Sequence, residues 1–141
     1  MGEETALPAS GGFFLHPRIS PNGRQIAYTG AAGIFVYDLD TGENLSVYGG
    51  GTNRSSPWWS RDGEYVYFSA STGAGTSYDG FRRRADASEP AEQLFRRPEQ
   101  NFPLASSLDE DRLLVMERTN DRGWDLLVTR EVGDSLVFDE Y

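Results

Sequence analysis

Hydrophobic and polar positions alternate in short runs along most of the chain. In 34–39, Ile34, Val36 and Asp38 point to one side of an extended strand, and Phe35, Tyr37 and Leu39 to the other. Both sides are largely apolar, which predicts a strand covered on both faces. Similar runs between Gly, Pro, Asn and Asp turns predict a first set of strands at 17–20, 25–29, 34–39 and 44–48. A second set follows Pro57, at 64–70, 78–84 and 91–95. A third follows Pro103, at 112–117, 124–130 and 135–138. No segment sustains the i, i+3, i+4, i+7 apolar spacing of a helix, so the fold is read as all-β.

Each set opens on the same phrase. Pro17-Arg18-Ile19-Ser20-Pro21-Asn22-Gly23 leads to Ile26-Ala27-Tyr28, and Pro57-Trp58-Trp59-Ser60-Arg61-Asp62-Gly63 leads to Val66-Tyr67-Phe68. A degraded third copy starts at Pro103, keeps Ser106, and reaches Leu113-Leu114-Val115 through Asp109-Glu110-Asp111. Its turn at 106–110 carries one extra residue and no Gly. A period of about 40 to 50 residues with four short strands per unit is the signature of propeller blades. The expected organisation is a lead-in segment at 1–16, with Phe13-Phe14-Leu15 pinned to the body, and blades at 17–56, 57–102 and 103–141. A β-sandwich would use a similar strand count, but the punctuated repeat favours a propeller.

These phrases resemble the WD40-like PD40 repeat of TolB-type propellers. The likeness rests on Pro-x-x-Ser-Pro-Asn-Gly-x-x-Ile-Ala-Tyr followed by Ile34-Phe35-Val36-Tyr37-Asp38-Leu39-Asp40-Thr41-Gly42-Glu43. Pro57 to Gly63 matches the Pro-x-Trp-Ser-Pro-Asp-Gly form apart from Arg61. The likeness covers roughly 17 to 138, strongly in two blades and weakly in the third. It implies blades of four antiparallel strands. Its functional range spans periplasmic envelope proteins and the gating domains of prolyl oligopeptidase-like enzymes.

Closed propellers have about four to eight blades, so three cannot close a ring alone. An isolated arc would leave two apolar blade faces open, which soluble proteins avoid. Two copies make six blades, and a two-fold homodimer would set blade three of each copy against blade one of the other. A fragment of a longer chain and a monomeric fold are the alternatives.

Composition narrows the partners. The net charge of −9 comes from 22 acidic residues against 13 basic ones, every one of them Arg, in a lysine-free chain. An acidic chain of this kind disfavours nucleic acid as the main partner. With no Cys there is no disulfide, thiolate metal site or Cys nucleophile. No stretch approaches a membrane span, and Met1-Gly2-Glu3-Glu4 has no export-signal pattern. A soluble protein is expected, cytoplasmic, or periplasmic if a signal has been removed.

No catalytic residue, metal site or cofactor is assigned. His16 is the single histidine, and no Gly-x-Ser-x-Gly elbow presents a nucleophile to it. Asp38-Leu39-Asp40-Thr41-Gly42-Glu43 has the look of a calcium loop, but its twelfth position is Gly49, not a carboxylate, so it reads as a turn. Arg82-Arg83-Arg84 and Arg96-Arg97 are the basic concentration. They read as charge guarding outer edge strands or as an anion patch. Trp59 is expected between blades. The ligand candidates are His16, Arg18, Asn53, Arg54, Trp58 and Asn101, at a channel mouth formed with loops 49–57 and 96–103. Imidazole, guanidinium and indole groups together suit a peptide terminus or a small organic anion. The expected function is non-catalytic binding or protein interaction. The alternatives are a propeller subunit or fragment of a hydrolase, and a purely structural assembly subunit.

Overall fold

The computed structural model describes residues 14–49, 56–71, 77–107, 109, 111–132 and 135–140. The lead-in 1–13 and the candidates Asn53 and Arg54 lie outside them. Twelve strands run in chain order: β1 Leu15–Ile19, β2 Gln25–Gly30, β3 Gly33–Asp38, β4 Asn44–Gly49, β5 Trp58–Trp59, β6 Tyr65–Ala70, β7 Asp79–Arg84, β8 Glu92–Phe95, β9 Gln100–Ser106, β10 Leu113–Thr119, β11 Gly123–Val132 and β12 Ser135–Glu140. They form three four-stranded antiparallel meanders, ordered β1-β2-β3-β4, β5-β6-β7-β8 and β9-β10-β11-β12. These are three propeller blades, and no strand is exchanged between them among the described residues.

The repeated phrase builds the turn after each first strand. Ser20 Oγ donates to Asn22 Oδ1 at 2.7 Å and accepts the Gln25 N–H at 2.9 Å. In blade 2, Ser60 Oγ donates to Asp62 Oδ1 and accepts the Tyr65 N–H at 2.8 Å. Gly23 and Gly63 sit at φ of 73° and 76°, which their lack of a Cβ makes inexpensive. In blade 3 the hydroxyl comes from Ser107, not Ser106: Ser107 Oγ donates to Asp111 Oδ1 at 2.9 Å and accepts the Arg112 N–H at 3.1 Å. The extra residue is absorbed by a bulge in β9, where Leu114 pairs with Ala105 but Val115 with Pro103. That shift leaves Ser106 in the strand opposite Leu113. β9 also begins at Gln100, ahead of Pro103, because the long β10 extends the ladder to Arg118↔Gln100.

The core lies between blades. Ala27, Ile34, Val36 and Val47 of blade 1 meet Trp59, Val66, Phe68, Ala70 and Phe81 of blade 2. Trp58, Tyr67 and Phe95 of blade 2 meet Leu113, Val115 and Leu127 of blade 3. Trp58 and Trp59 are neighbours on an extended strand, so each serves a different layer.

Candidate functional site

Sheet order makes β1, β5 and β9 the first strands of the blades, and these would border a propeller's channel. On β1, His16, Pro17, Arg18 and Ile19 are exposed. His16 adopts φ of 52°, uncommon outside Gly, at a register break between Leu15 and Arg18. Arg18 Nη1 donates to the Pro17 carbonyl at 3.3 Å, while the Arg18 carbonyl accepts the Trp59 Nε1–H at 2.9 Å. Among the described residues Arg18 forms no ion pair with a carboxylate.

Trp58 and Asn101 lie deeper. Trp58 is buried in the blade 2–blade 3 layer, stacked on Tyr67 with ring centroids 4.9 Å apart. Asn101 is fully buried, its Nδ2 donating to the Glu99 carbonyl at 2.8 Å. Trp58 Nε1 and Asn101 Oδ1 are both buried without a hydrogen-bond partner within the chain. The structure thus groups His16 and Arg18 at the exposed first strand, and sets Trp58 and Asn101 inside the neighbouring joint.

The basic concentration is tied down internally. Arg82 pairs with Glu92 at 2.6 Å and Arg84 with Glu64 at 3.1 Å. Arg83 donates to the carbonyls of Val47, Ala87 and Glu89, linking blade 2 to blade 1. Arg96 approaches the buried Asp79 at 3.7 Å. Arg97 makes a two-pronged pair with Glu117 and covers the Phe138 ring at 4.5 Å. Sequence reasoning missed this clasp. Its signal was Glu117 inside an apolar strand, at the position of Gly30 and Ala70 in the other blades.

The Asp38–Glu43 turn is a local hydrogen-bonded loop. Asp38 Oδ1 accepts the N–H groups of Asp40 at 3.0 Å and Thr41 at 2.8 Å, and the Thr41 hydroxyl at 3.1 Å. The Thr41 N–H is the largest influence holding the Asp38 carboxyl below its ordinary range. Among the described residues, no group of three or more His, Asp or Glu side chains is placed to hold a metal ion. No helix there is long and apolar enough to cross a membrane.

The fold is that of TolB-like β-propellers, all-β with three four-stranded blades. The chain is similar to TolB of Acinetobacter baumannii, with a TM-score of 0.69 and 16% identity over 90% of this chain and 32% of that one. It is similar to a prolyl endopeptidase, with a TM-score of 0.68 and 17% identity over 90% of this chain and 22% of that one. It also resembles the β-propeller domain of the Trilobed protease from Pyrococcus furiosus, described as having an open velcro topology. There the TM-score is 0.60 and the identity 12%, over 94% of this chain and 44% of that one. The chain therefore spans less than half the length of each of these proteins. No family model and no curated protein sequence matches it.

Proposed function

We propose that the chain is a non-catalytic binding or protein-interaction module, half of a β-propeller, completed to a six-bladed ring by a second copy in a two-fold homodimer. The observation that carries this reading is the pair of end faces. The register makes Ile19 of blade 1 the counterpart of Trp59 in blade 2, and Leu126 of blade 3 the counterpart of Ile34 in blade 1. Trp59 and Ile34 are 8% and 0% exposed between blades, whereas Ile19 and Leu126 are 64% and 50% exposed at the ends. Ile26 and Phe35 continue the first end face, where Phe14 packs on the buried Tyr28; Leu114, Met116 and Val128 continue the second. Each end thus repeats one half of the joint already formed between blades 1 and 2, and three blades subtend half of a six-bladed ring.

The ligand site of this reading is the channel mouth, with His16 and Arg18 from both copies and the loops 49–57 and 96–103. Its ligand is a peptide terminus or small organic anion. Arg18 supports it as an exposed guanidinium without a carboxylate partner among the described residues. Light scattering behind size exclusion, across a dilution series, tests the ring. A mass of about twice the 15.7 kDa protomer that persists on dilution is expected. A monomer at every concentration overturns the homodimer. That outcome would favour a second reading, as blades of a larger hydrolase propeller, which the likeness to the two protease structures supports.

A further inference from the structure

The channel wall differs in charge from the chain as a whole, which has 22 acidic residues against 13 basic ones. The three first strands, Leu15–Ile19, Trp58–Trp59 and Gln100–Ser106, contain no Asp or Glu, and Arg18 is their one guanidinium. Register sets Arg18, opposite Ala27, at the place of Trp58, opposite Tyr67, and of Ala105, opposite Leu114. Trp58 is buried in the joint and the Ala105 side chain ends at its Cβ. Among the described residues, a protomer therefore supplies one exposed guanidinium at this level. Its backbone is fixed from the next blade, because the Trp59 Nε1–H donates to the Arg18 carbonyl at 2.9 Å. Ala27 packs against blade 2, so Arg18 lies on that side of blade 1, clear of the seam where blade 1 of one copy would meet blade 3 of another.

We infer that the two-fold ring takes one small dianion, a linear dicarboxylate, held across the channel between the Arg18 guanidiniums of its two copies. This rests on the homodimer reading above. In a ring of six blades a two-fold axis carries each blade three places on, to the opposite wall. The two Arg18 residues then stand on opposite sides of the axis, and the site is incomplete in a single copy. Two like charges over first strands that carry no acidic residue repel each other and draw anions into the channel. A guanidinium binds a carboxylate through two parallel charge-assisted hydrogen bonds. A ligand with a carboxylate at each end satisfies both walls at once, whereas a single carboxylate satisfies one. The second contact of a dicarboxylate is intramolecular once the first has formed, which raises affinity without a new kind of contact.

The test is titration calorimetry, with the mass measured by light scattering in the same buffer. Succinate, adipate and suberate are each compared with their own monomethyl ester, which keeps the length and one carboxylate. The expected result is one dicarboxylate per two chains, with the best-fitting length binding about tenfold or more tighter than its monoester. Arg18→Gln is expected to abolish that difference, and Arg18→Lys, a cation without the planar fork, to keep part of it. A dimer that binds one dicarboxylate per chain, that binds diacid and monoester equally, or that binds no diacid at any length overturns the inference and leaves the ring standing. A monomer at every concentration overturns both. If Arg18→Gln fails to fold by circular dichroism, the stoichiometry and the diacid-to-monoester ratio of the wild type decide.

Discussion

Trp58 and Trp59 are adjacent and chemically identical, yet their surroundings set opposite consequences for the same change. The Trp59 indole N–H is matched by the Arg18 carbonyl. Trp59→Phe is expected to cost about 1 to 2 kcal/mol, from a lost hydrogen bond and some lost packing. The Trp58 N–H is buried without a partner within the chain while its ring stacks on Tyr67. Trp58→Phe keeps much of the stack and removes the orphaned donor, so its melting temperature is expected to be equal to or above that of the wild type. Thermal unfolding of the two variants side by side checks the pair; equal losses would show that the two indoles are held alike. At the channel mouth, Arg18→Ala is expected to weaken binding of a tri-alanine peptide with a free carboxylate about tenfold or more. Binding of the C-terminally amidated peptide should change little. Titration calorimetry with both peptides would reject the Arg18 role if the losses were equal.

Asp62 is held below its ordinary value of 3.8 chiefly by the Ser60 hydroxyl, then by the Glu64 N–H. Asp86 is lowered chiefly by the Ser88 hydroxyl, and Asp38 chiefly by the Thr41 N–H. A carboxyl whose folded pKa is depressed contributes stability above its unfolded pKa and loses it as pH falls through the folded one. The turns are therefore expected to hold their contribution at neutral pH and lose it only below about pH 4. Denaturant midpoints measured from pH 7 down to pH 2 check this, and a loss already complete at pH 5 would assign it to other groups. The Arg97–Glu117 clasp makes a different prediction. Glu117 is buried and Arg97 is partly solvated. Glu117→Gln leaves an unbalanced guanidinium that still reaches water, so a loss of about 2 kcal/mol is expected, below that of a fully buried pair. Urea unfolding measures it.

For the whole molecule, the free energy of the arc is concentrated in two layers, one per internal joint. Its two ends each expose a large apolar side chain, Ile19 at one and Leu126 at the other, while Phe14 packs on the buried Tyr28 at the first. A charge on such a face would be trapped by a closing blade, so Leu126→Arg is expected to prevent dimerisation while leaving the protomer folded. Mass and circular dichroism together check it, and an intact dimer would remove Leu126 from the seam.

Strand periodicity and the repeated turn phrase were legible because they are local. Alternation places side chains on two faces, and Ser-x-Asn/Asp-Gly closes its hydrogen bonds within a few residues. The apolar side formed by Ile34 and Val36 in 34–39 likewise marked the face that packs against blade 2. The sequence by itself thus determined the strands, the turns and the antiparallel blades. Tertiary structure alone decided which side of each strand met which neighbour. A single-residue bulge in β9 transferred the turn role from Ser106 to Ser107. Contacts across the joints placed Trp58 and Asn101 in the interior and turned Arg83 and Arg97 into ties between blades, while Arg82, Arg84 and Arg96 pair with carboxylates of their own blade. Such partners lie far apart in sequence, as in Trp59 with Arg18 or Arg97 with Glu117. Local pattern fixes which face a side chain takes, while the pairing of charges and donors depends on how the blades stack.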